Sequence, residues 1–349
     1  MAGLKVNLET YESFASTCDG GASPPSLAPS ACASEGWETQ LWHVATDPAW
    51  KMLRREDVTL KVEMSRTLKS TLYHATWQGL EVVVKFAGLH GERLKKRPSD
   101  GADSESSWAE DMRRELLQEV SLLSSLQHPD LVKFLGACVD PQLSLMCVTE
   151  LLPGGDLERY YMARRLKRAV DVWRPKLQQV LDWSCAILRA LSYLHRHDLV
   201  HRDLKPLNLL LTKSLDLKVS DLGISRYLPH CEDYRMTGGL GTCRYMAPEV
   251  LRHQDYDEKV DIFAVGLIMY FMSSGRQPFH HLGPNPEVVL KQYQMGLEPR
   301  PTATDCSAKL RPVMTQAWAT SPKERPSADE LLEQLQIGVG PRCGPCAQM

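Results

Sequence analysis

Asp203 and Asn208 stand close together in the segment His201-Arg202-Asp203-Leu204-Lys205-Pro206-Leu207-Asn208, between an apolar helical stretch and the run Leu209-Leu210-Leu211. A carboxylate and an amide on one short loop can face the same cleft. The carboxylate can receive or orient the proton of an attacking hydroxyl, and the amide oxygen can bind a divalent cation. Asp221-Leu222-Gly223 follows the strand-like segment from Leu215 to Val219. Its carboxylate can chelate a metal that bridges phosphates, and Gly223 permits a sharp backbone reversal. Upstream, Lys85 closes the apolar run Val82-Val83-Val84, which points its ammonium into a cleft. Glu119 sits mid-helix among apolar neighbours, where an unpaired carboxylate is costly, and is the natural partner of Lys85. Together these groups fit phosphoryl transfer from ATP: Asp203 as base, Asn208 and Asp221 as Mg2+ ligands, and Lys85 with Glu119 holding the nucleotide phosphates.

Positioning these residues requires two kinds of element. Val58 to Glu63, Thr71 to Trp77 and Leu80 to Phe86 read as three short strands, with Gln78-Gly79 as the turn between the last two. A polar stretch from Gly88 to Ser107, containing Arg93-Leu94-Lys95-Lys96-Arg97, reads as a surface insertion. Leu116, Val120 and Leu123 place a helix over 112–126. Two more strands fit Leu131–Phe134 and Leu143–Glu150, and Pro153-Gly154-Gly155 marks a break. Helical spacing dominates thereafter, over 177–197, 260–273, 287–295, 310–319 and 328–335. The expected architecture is α+β, with a small five-stranded lobe carrying one main helix, then a larger, mainly helical lobe. The expected boundaries are a disordered leader over 1–50, a domain over 56–336 divided into lobes at 56–150 and 156–336, and a flexible tail over 337–349. Trp37, Trp42 and Trp50 in the leader are read as packing on the first lobe.

The 349 residues carry a formal net charge of −2, from 41 basic and 43 acidic side chains. That balance points to neither nucleic acid nor an anionic membrane as an obligatory partner, although it hides local patches. The ten cysteines form no dense framework, which implies reduced thiols and a cytoplasmic or nuclear setting. The longest apolar run, Ile262 to Met272, is about half of a bilayer span, so no membrane insertion is expected. Cys343-Gly344-Pro345-Cys346 has only three residues after it, too few for a helix N-terminus that would activate a thiol, and reads as tail.

Lys85, Glu119, the 201–208 loop, Asp221-Leu222-Gly223 and Met246-Ala247-Pro248-Glu249 occur in the order and at the spacings of the eukaryotic protein kinases, which the chain resembles over about 56–336. The resemblance implies a bilobal fold, ATP and Mg2+ as cofactors, a protein substrate and an upstream activating kinase. It implies that Lys205 assists Asp203 in catalysis. It places Thr149 at the gatekeeper position, Glu150 to Leu152 at the adenine-binding hinge, and Asp156 near the ribose. It also implies that Asp261 braces the catalytic loop, that Arg325 pairs with Glu249, and that Leu123, Phe134, His201 and Leu222 form an internal spine. Lys205-Pro206, the segment from Gly241 to Glu249, and His128-Pro129-Asp130 resemble the tyrosine-kinase-like group of serine/threonine kinases. Arg202 before Asp203 implies activation by phosphorylation, with acceptors among Tyr234, Thr237, Thr242 and Tyr245. Thr242 is expected to be structural and Thr237 to be the regulatory acceptor.

The family's phosphate loop carries three glycines, which here are Ser65, Thr67 and Ser70, ahead of Leu72 over the nucleotide. Each Cβ restricts close backbone approach to phosphates, so weaker nucleotide binding or slower turnover is expected. The alternative to an active enzyme is a pseudokinase scaffold with weak or no catalysis.

Overall fold

The computed structural model describes residues 52–67, 70–87, 102–138, 145–223, 225–227 and 243–337. The 1–50 leader and most of the tail lie outside these residues, as do the Arg93–Arg97 run, Thr237 and Thr242.

Strands β1 (Val58–Arg66), β2 (Ser70–Trp77) and β3 (Leu80–Ala87) form an antiparallel meander. Helix α1 (Ala102–Ser125) follows, then β4 (Phe134–Cys138) and β5 (Met146–Glu150), completing a five-stranded sheet ordered β1-β2-β3-β5-β4. Alternation gives this sheet two unlike faces. Ala75, Val82, Val84, Phe86, Met146 and Val148 pack into one core with Leu53, Val58 and Trp77. Register sets Leu72 opposite Lys85, and Val83 opposite Thr149, on the other face, where all four are only partly buried.

The second lobe begins with a short strand β6 (Gly155–Asp156) and helix α2 (Leu157–Arg168). Helix α3 (Leu177–His195) leads into β7 (Leu199–Val200), and a 3-10 turn over Pro206–Asn208 leads into β8 (Leu209–Leu211) and β9 (Leu217–Val219). After β10 (Arg226–Tyr227) the chain is helical: α4 (Pro248–Leu251), α5 (Lys259–Ser274), α6 (Glu287–Gln294), α7 (Arg311–Ala317) and α8 (Ala328–Ile337). Helix α5 is buried along nearly its whole length. Among the described residues, no helix is long and apolar enough to cross a membrane. Cys138, Cys147, Cys185 and Cys243 carry free thiols.

Three elements differ from the sequence reading. Helix α1 starts at Ala102, inside the stretch read as an insertion. The strand expected over Leu131–Phe134 lies later, at Phe134–Cys138, and Leu131 makes only an isolated bridge to Val219. Helix α2 carried no clear apolar period, because only Leu157 and Tyr161 of its twelve residues are buried.

The lobes are joined behind the cleft. Val132 N–H donates to the Val219 carbonyl at 2.9 Å, and Val219 N–H to the Asp130 carbonyl at 2.8 Å. Arg189 on α3 grips Asp130 with two bonds, at 2.8 and 3.0 Å. Deep in the helical lobe, Arg325 is 1% exposed and forms a paired bond to Glu249 at 2.5 and 3.0 Å, as the resemblance implied. Its guanidinium also lies 4.9 Å from the ring centre of Phe263.

Candidate active site

Strand β3 is apolar on its core side, so Lys85 must turn its ammonium to the opposite face, where α1 packs. There Lys85 Nζ lies 2.6 Å from Glu119 Oε2 and 3.1 Å from Asp221 Oδ1. One cation thus joins a strand, a helix and the loop after β9. Burial disfavours the Lys85 ammonium, but the Asp221 and Glu119 carboxylates outweigh it and hold its pKa above the ordinary lysine value. Lys85 holds the Asp221 carboxyl down to about 2 against burial, with help from Lys205 and His201. Burial pushes the Glu119 carboxyl up against the opposing pull of Lys85. Gly223 is needed here for space: a Cβ would stand 3.2 Å from both Asp221 Oδ1 and Glu119 Oε2.

The catalytic loop hangs from Asp261, on α5. This carboxylate accepts from the backbone N–H groups of His201 and Arg202, each at 2.8 Å, and contacts His195 Nε2 at 2.9 Å. Arg202 is thereby held with φ at 71°, and Asp221 sits at 65°. Left-handed backbone at residues other than glycine costs about 1–3 kcal/mol each, so the surrounding bonds fix both geometries against local preference. Within the loop Lys205 Nζ donates to Asp203 Oδ2 at 2.6 Å. Asn208 Nδ2 donates to the Asp203 carbonyl at 2.8 Å and to Oδ2 at 3.1 Å. Asp203 Oδ1 is buried with no hydrogen-bond partner. A buried carboxylate oxygen left unsatisfied is costly, which makes it a ready acceptor for an incoming hydroxyl. Ser220 couples the two halves of the site: its N–H and its hydroxyl both donate to the Asn208 carbonyl, at 2.9 and 3.0 Å.

The glycine-free loop closes by side-chain chemistry. Thr67 N–H and Oγ1 both donate to the Ser70 carbonyl, at 2.9 and 3.1 Å, and Ser70 N–H returns a bond to Thr67 Oγ1 at 3.0 Å. Ser65 pairs with Leu72 across the hairpin, beside a bulge between Glu63 and Ser65. Leu72, Val83 and Thr149 line the sheet side of the cleft. Leu210, between the fully buried Leu209 and Leu211, is partly exposed, an apolar position the sequence pattern of three leucines concealed.

At the connector the structure refines the expected roles. Glu150 Oε1 accepts from Lys133 N–H at 2.8 Å and from Lys218 Nζ at 2.6 Å, so its carboxylate braces the connector. Leu152 is buried, and its carbonyl accepts from Gly155 N–H. Asp156 caps α2: Oδ1 accepts from Arg159 N–H at 2.8 Å and Oδ2 lies 3.2 Å from Arg159 Nε. The ribose role expected for Asp156 therefore competes with a cap. Tyr245 is 5% exposed and donates its hydroxyl to Gln277, which removes it from the candidate phosphate acceptors.

No cluster of three or more His, Cys, Asp or Glu side chains capable of holding a metal ion occurs among the described residues. A hard cation held by Asn208 and Asp221 still fits their chemistry. Asn208 spends its NH2 group on Asp203, which leaves its amide oxygen as a donor, and Asp221 is held ionised with one oxygen free of Lys85. Asp130, Arg189, Lys218 and Ser220 escaped the sequence reading. Each acts through a partner distant in the chain, and no local pattern announces such pairs.

Comparison with known proteins gives the same picture. Residues 98–336 match the protein kinase domain family, a span that begins after β3 and its Lys85. The chain is 33% identical over 265 residues to serine/threonine-protein kinase STY46 of Arabidopsis thaliana, covering 76% of this chain and 41% of that protein. It is 35% identical over 271 residues to serine/threonine-protein kinase VIK of the same plant, covering 75% and 56%. It is 33% identical over 272 residues to seven transmembrane domain-containing tyrosine-protein kinase 1 of Dictyostelium discoideum, covering 76% and 36%. The chain thus spans about half, or less, of the length of these relatives.

The depressed Asp221 pKa has a stability consequence. Its contribution is complete above the ordinary carboxyl value of 3.8 and is lost as pH falls towards about 2, because there the unfolded chain binds more protons than the fold. Thermal denaturation in steps downward from pH 5 should show Asp221→Asn losing stability less steeply than the native chain through that window. Equal slopes would show that the ion pair does not hold Asp221 ionised.

Proposed function

The chain belongs to the protein kinase family, and we propose that its cleft transfers the γ-phosphate of ATP to serine or threonine hydroxyls of a protein substrate. The observation that carries this reading is the completed charge set, with Lys85 engaging Glu119 and Asp221 together while Asp203 keeps one buried oxygen open. The serine/threonine names of two relatives, and Lys205-Pro206 in the loop, support the hydroxyl preference.

In the proposed mechanism Lys85 neutralises nucleotide phosphates and is itself oriented by Glu119. Asp203 Oδ1 accepts the hydrogen bond of the substrate hydroxyl and takes its proton as the oxygen attacks phosphorus. Lys205, 2.6 Å from Asp203 Oδ2, offsets negative charge gathering at the transferred group. Asn208 and Asp221 would hold Mg2+, which supplies charge neutralisation at the phosphates when bound. Leu72, Val83 and Leu210 form apolar walls for the base, with Thr149 beside them. Ser65, Thr67 and Ser70 cover the phosphates with a loop latched by Thr67. Arg202 is the proposed partner of a phosphate on Thr237, added by an upstream kinase.

Three outcomes follow. Purified protein with labelled ATP, Mg2+ and a generic Ser/Thr substrate should incorporate phosphate, and Asp203→Asn should lose about 10²–10⁴-fold, the range for general-base catalysis; equal rates for both proteins would leave only the scaffold. Mass mapping of the active preparation should find phosphate on Thr237, and an unmodified Thr237 in fully active protein would remove that assignment. Thr67→Ala deletes the two latch bonds made by the hydroxyl and should raise the KM for ATP about 2–10-fold, with kcat changed much less, from a hydrogen-bond contribution of about 0.5–1.5 kcal/mol. An unchanged KM would show that the latch does not shape the nucleotide site.

A further inference from the structure

Arg244 spends a buried positive charge on main-chain oxygens. The side chain is 7% exposed, and burial holds its pKa below the ordinary arginine value. Nη1 donates to the Pro278 carbonyl at 2.9 Å, and Nη2 to the carbonyls of Gly283 and Pro284 at 3.1 and 2.6 Å. Burying a cation among neutral oxygens costs more than burying an apolar side chain, so filling space does not explain the residue. What a guanidinium adds is a planar fork that holds several acceptors in fixed directions. Here the acceptors lie at the two ends of segment 278–284, which Arg244 closes into an arch. Within the arch Phe279, buried against Tyr293, is left-handed at φ 59°, a backbone that only its surroundings can maintain. The next residue makes a second tie. Tyr245 donates its hydroxyl to Gln277 Oε1 at 2.9 Å, at the foot of the arch, and Gln277 Nε2 donates to Glu158 Oε1 on α2 at 2.8 Å. Tyr245, Met246 and Ala247 also line one small cavity together with Asp203 and Leu204. The segment that Arg244 opens is thus beside Asp203 on one side and bonded to the arch on the other.

We infer that Arg244 is a positioning residue for the protein substrate: it fixes the arch 278–284 as one flank of the surface on which the substrate chain lies while its hydroxyl reaches Asp203. This rests on the kinase reading and adds to it the side of the site where the polypeptide, as distinct from ATP, is held. Each further residue of an extended substrate reaches about 3.3 Å beyond the acceptor, so the chain must lie against structure next to the base. Residues 245–247 are that structure, and Arg244 with Tyr245 sets their place relative to the arch. The clamp is made within the fold before any substrate arrives, which lowers the ordering cost of binding. Neither tie passes through Lys85, Asn208 or Asp221, so loss of the clamp acts on the protein substrate and not on the nucleotide.

The test is steady-state kinetics of the full chain with myelin basic protein as a generic substrate, varied at saturating ATP and Mg2+, and then with ATP varied at saturating protein. Arg244→Met keeps the length of the side chain without its charge, and should raise the KM for myelin basic protein about fivefold or more while the KM for ATP stays within about twofold. Arg244→Lys keeps the charge without the fork and should fall between the native chain and Arg244→Met. Gln277→Leu, at a partly exposed position, removes the second tie and should raise the same KM about twofold or more, which keeps the test open if Arg244→Met does not fold. A merely structural role would lower the active fraction, and so kcat, with both KM values in place. The inference is overturned by that pattern, or by a KM for ATP that rises in parallel. If the native chain transfers no phosphate, the catalytic reading fails by itself, and fluorescence anisotropy with labelled myelin basic protein decides the inference. A Kd weakened about fivefold by Arg244→Met supports it, whereas an unchanged Kd, or no binding by the native chain, overturns it.

Discussion

Lys85 holds one positive charge between two carboxylates, at 2.6 Å from Glu119 and 3.1 Å from Asp221, and those carboxylates belong to elements that share no local contact in sequence. Glu119 is buried and Lys85 partly buried, and either charge without a partner would pay for its desolvation, whereas the more exposed Asp221 adds a second carboxylate to the same cation. That condition fixes the depth of α1 against the sheet and the height of the Asp221 loop beneath it. It also explains why Gly223 has no side chain, since any Cβ would press into the ion cluster.

A second buried carboxylate performs the corresponding task below the cleft. Asp261 collects two backbone N–H groups and one imidazole, and so imposes on Arg202 a left-handed backbone that it would not otherwise adopt. The loop then presents Asp203 with one oxygen satisfied by Lys205 and Asn208 and the other open. Reactivity in this site is therefore a matter of which lone pairs the fold leaves unspent.

The candidate catalytic side chains were legible because each carries its chemistry in its own type and sits in a short motif. Lys85 could be paired with Glu119 from the cost of burying either alone. The main strands were legible from alternation, and the buried α5 from its long apolar run. Helix α2 was not, since its buried face is only two residues wide. The latch of Thr67 on Ser70 was hidden because a threonine replacing a glycine reads as a loss, whereas its hydroxyl supplies a bond that glycine lacks. Glu150 and Asp156 were expected at an adenine hinge and near a ribose, but their carboxylates are spent on Lys218 and on a helix cap, commitments the sequence does not announce.

The brace between Glu150 and Lys218 has a mechanical meaning. With the backbone bonds between Asp130, Val132 and Val219, it ties the first lobe to the same β9 strand at two places, beside the links of Arg189 to Asp130 and Lys85 to Asp221. Sliding or twisting one lobe over the other would therefore break a partly buried ion pair or a pair of backbone bonds on a single strand.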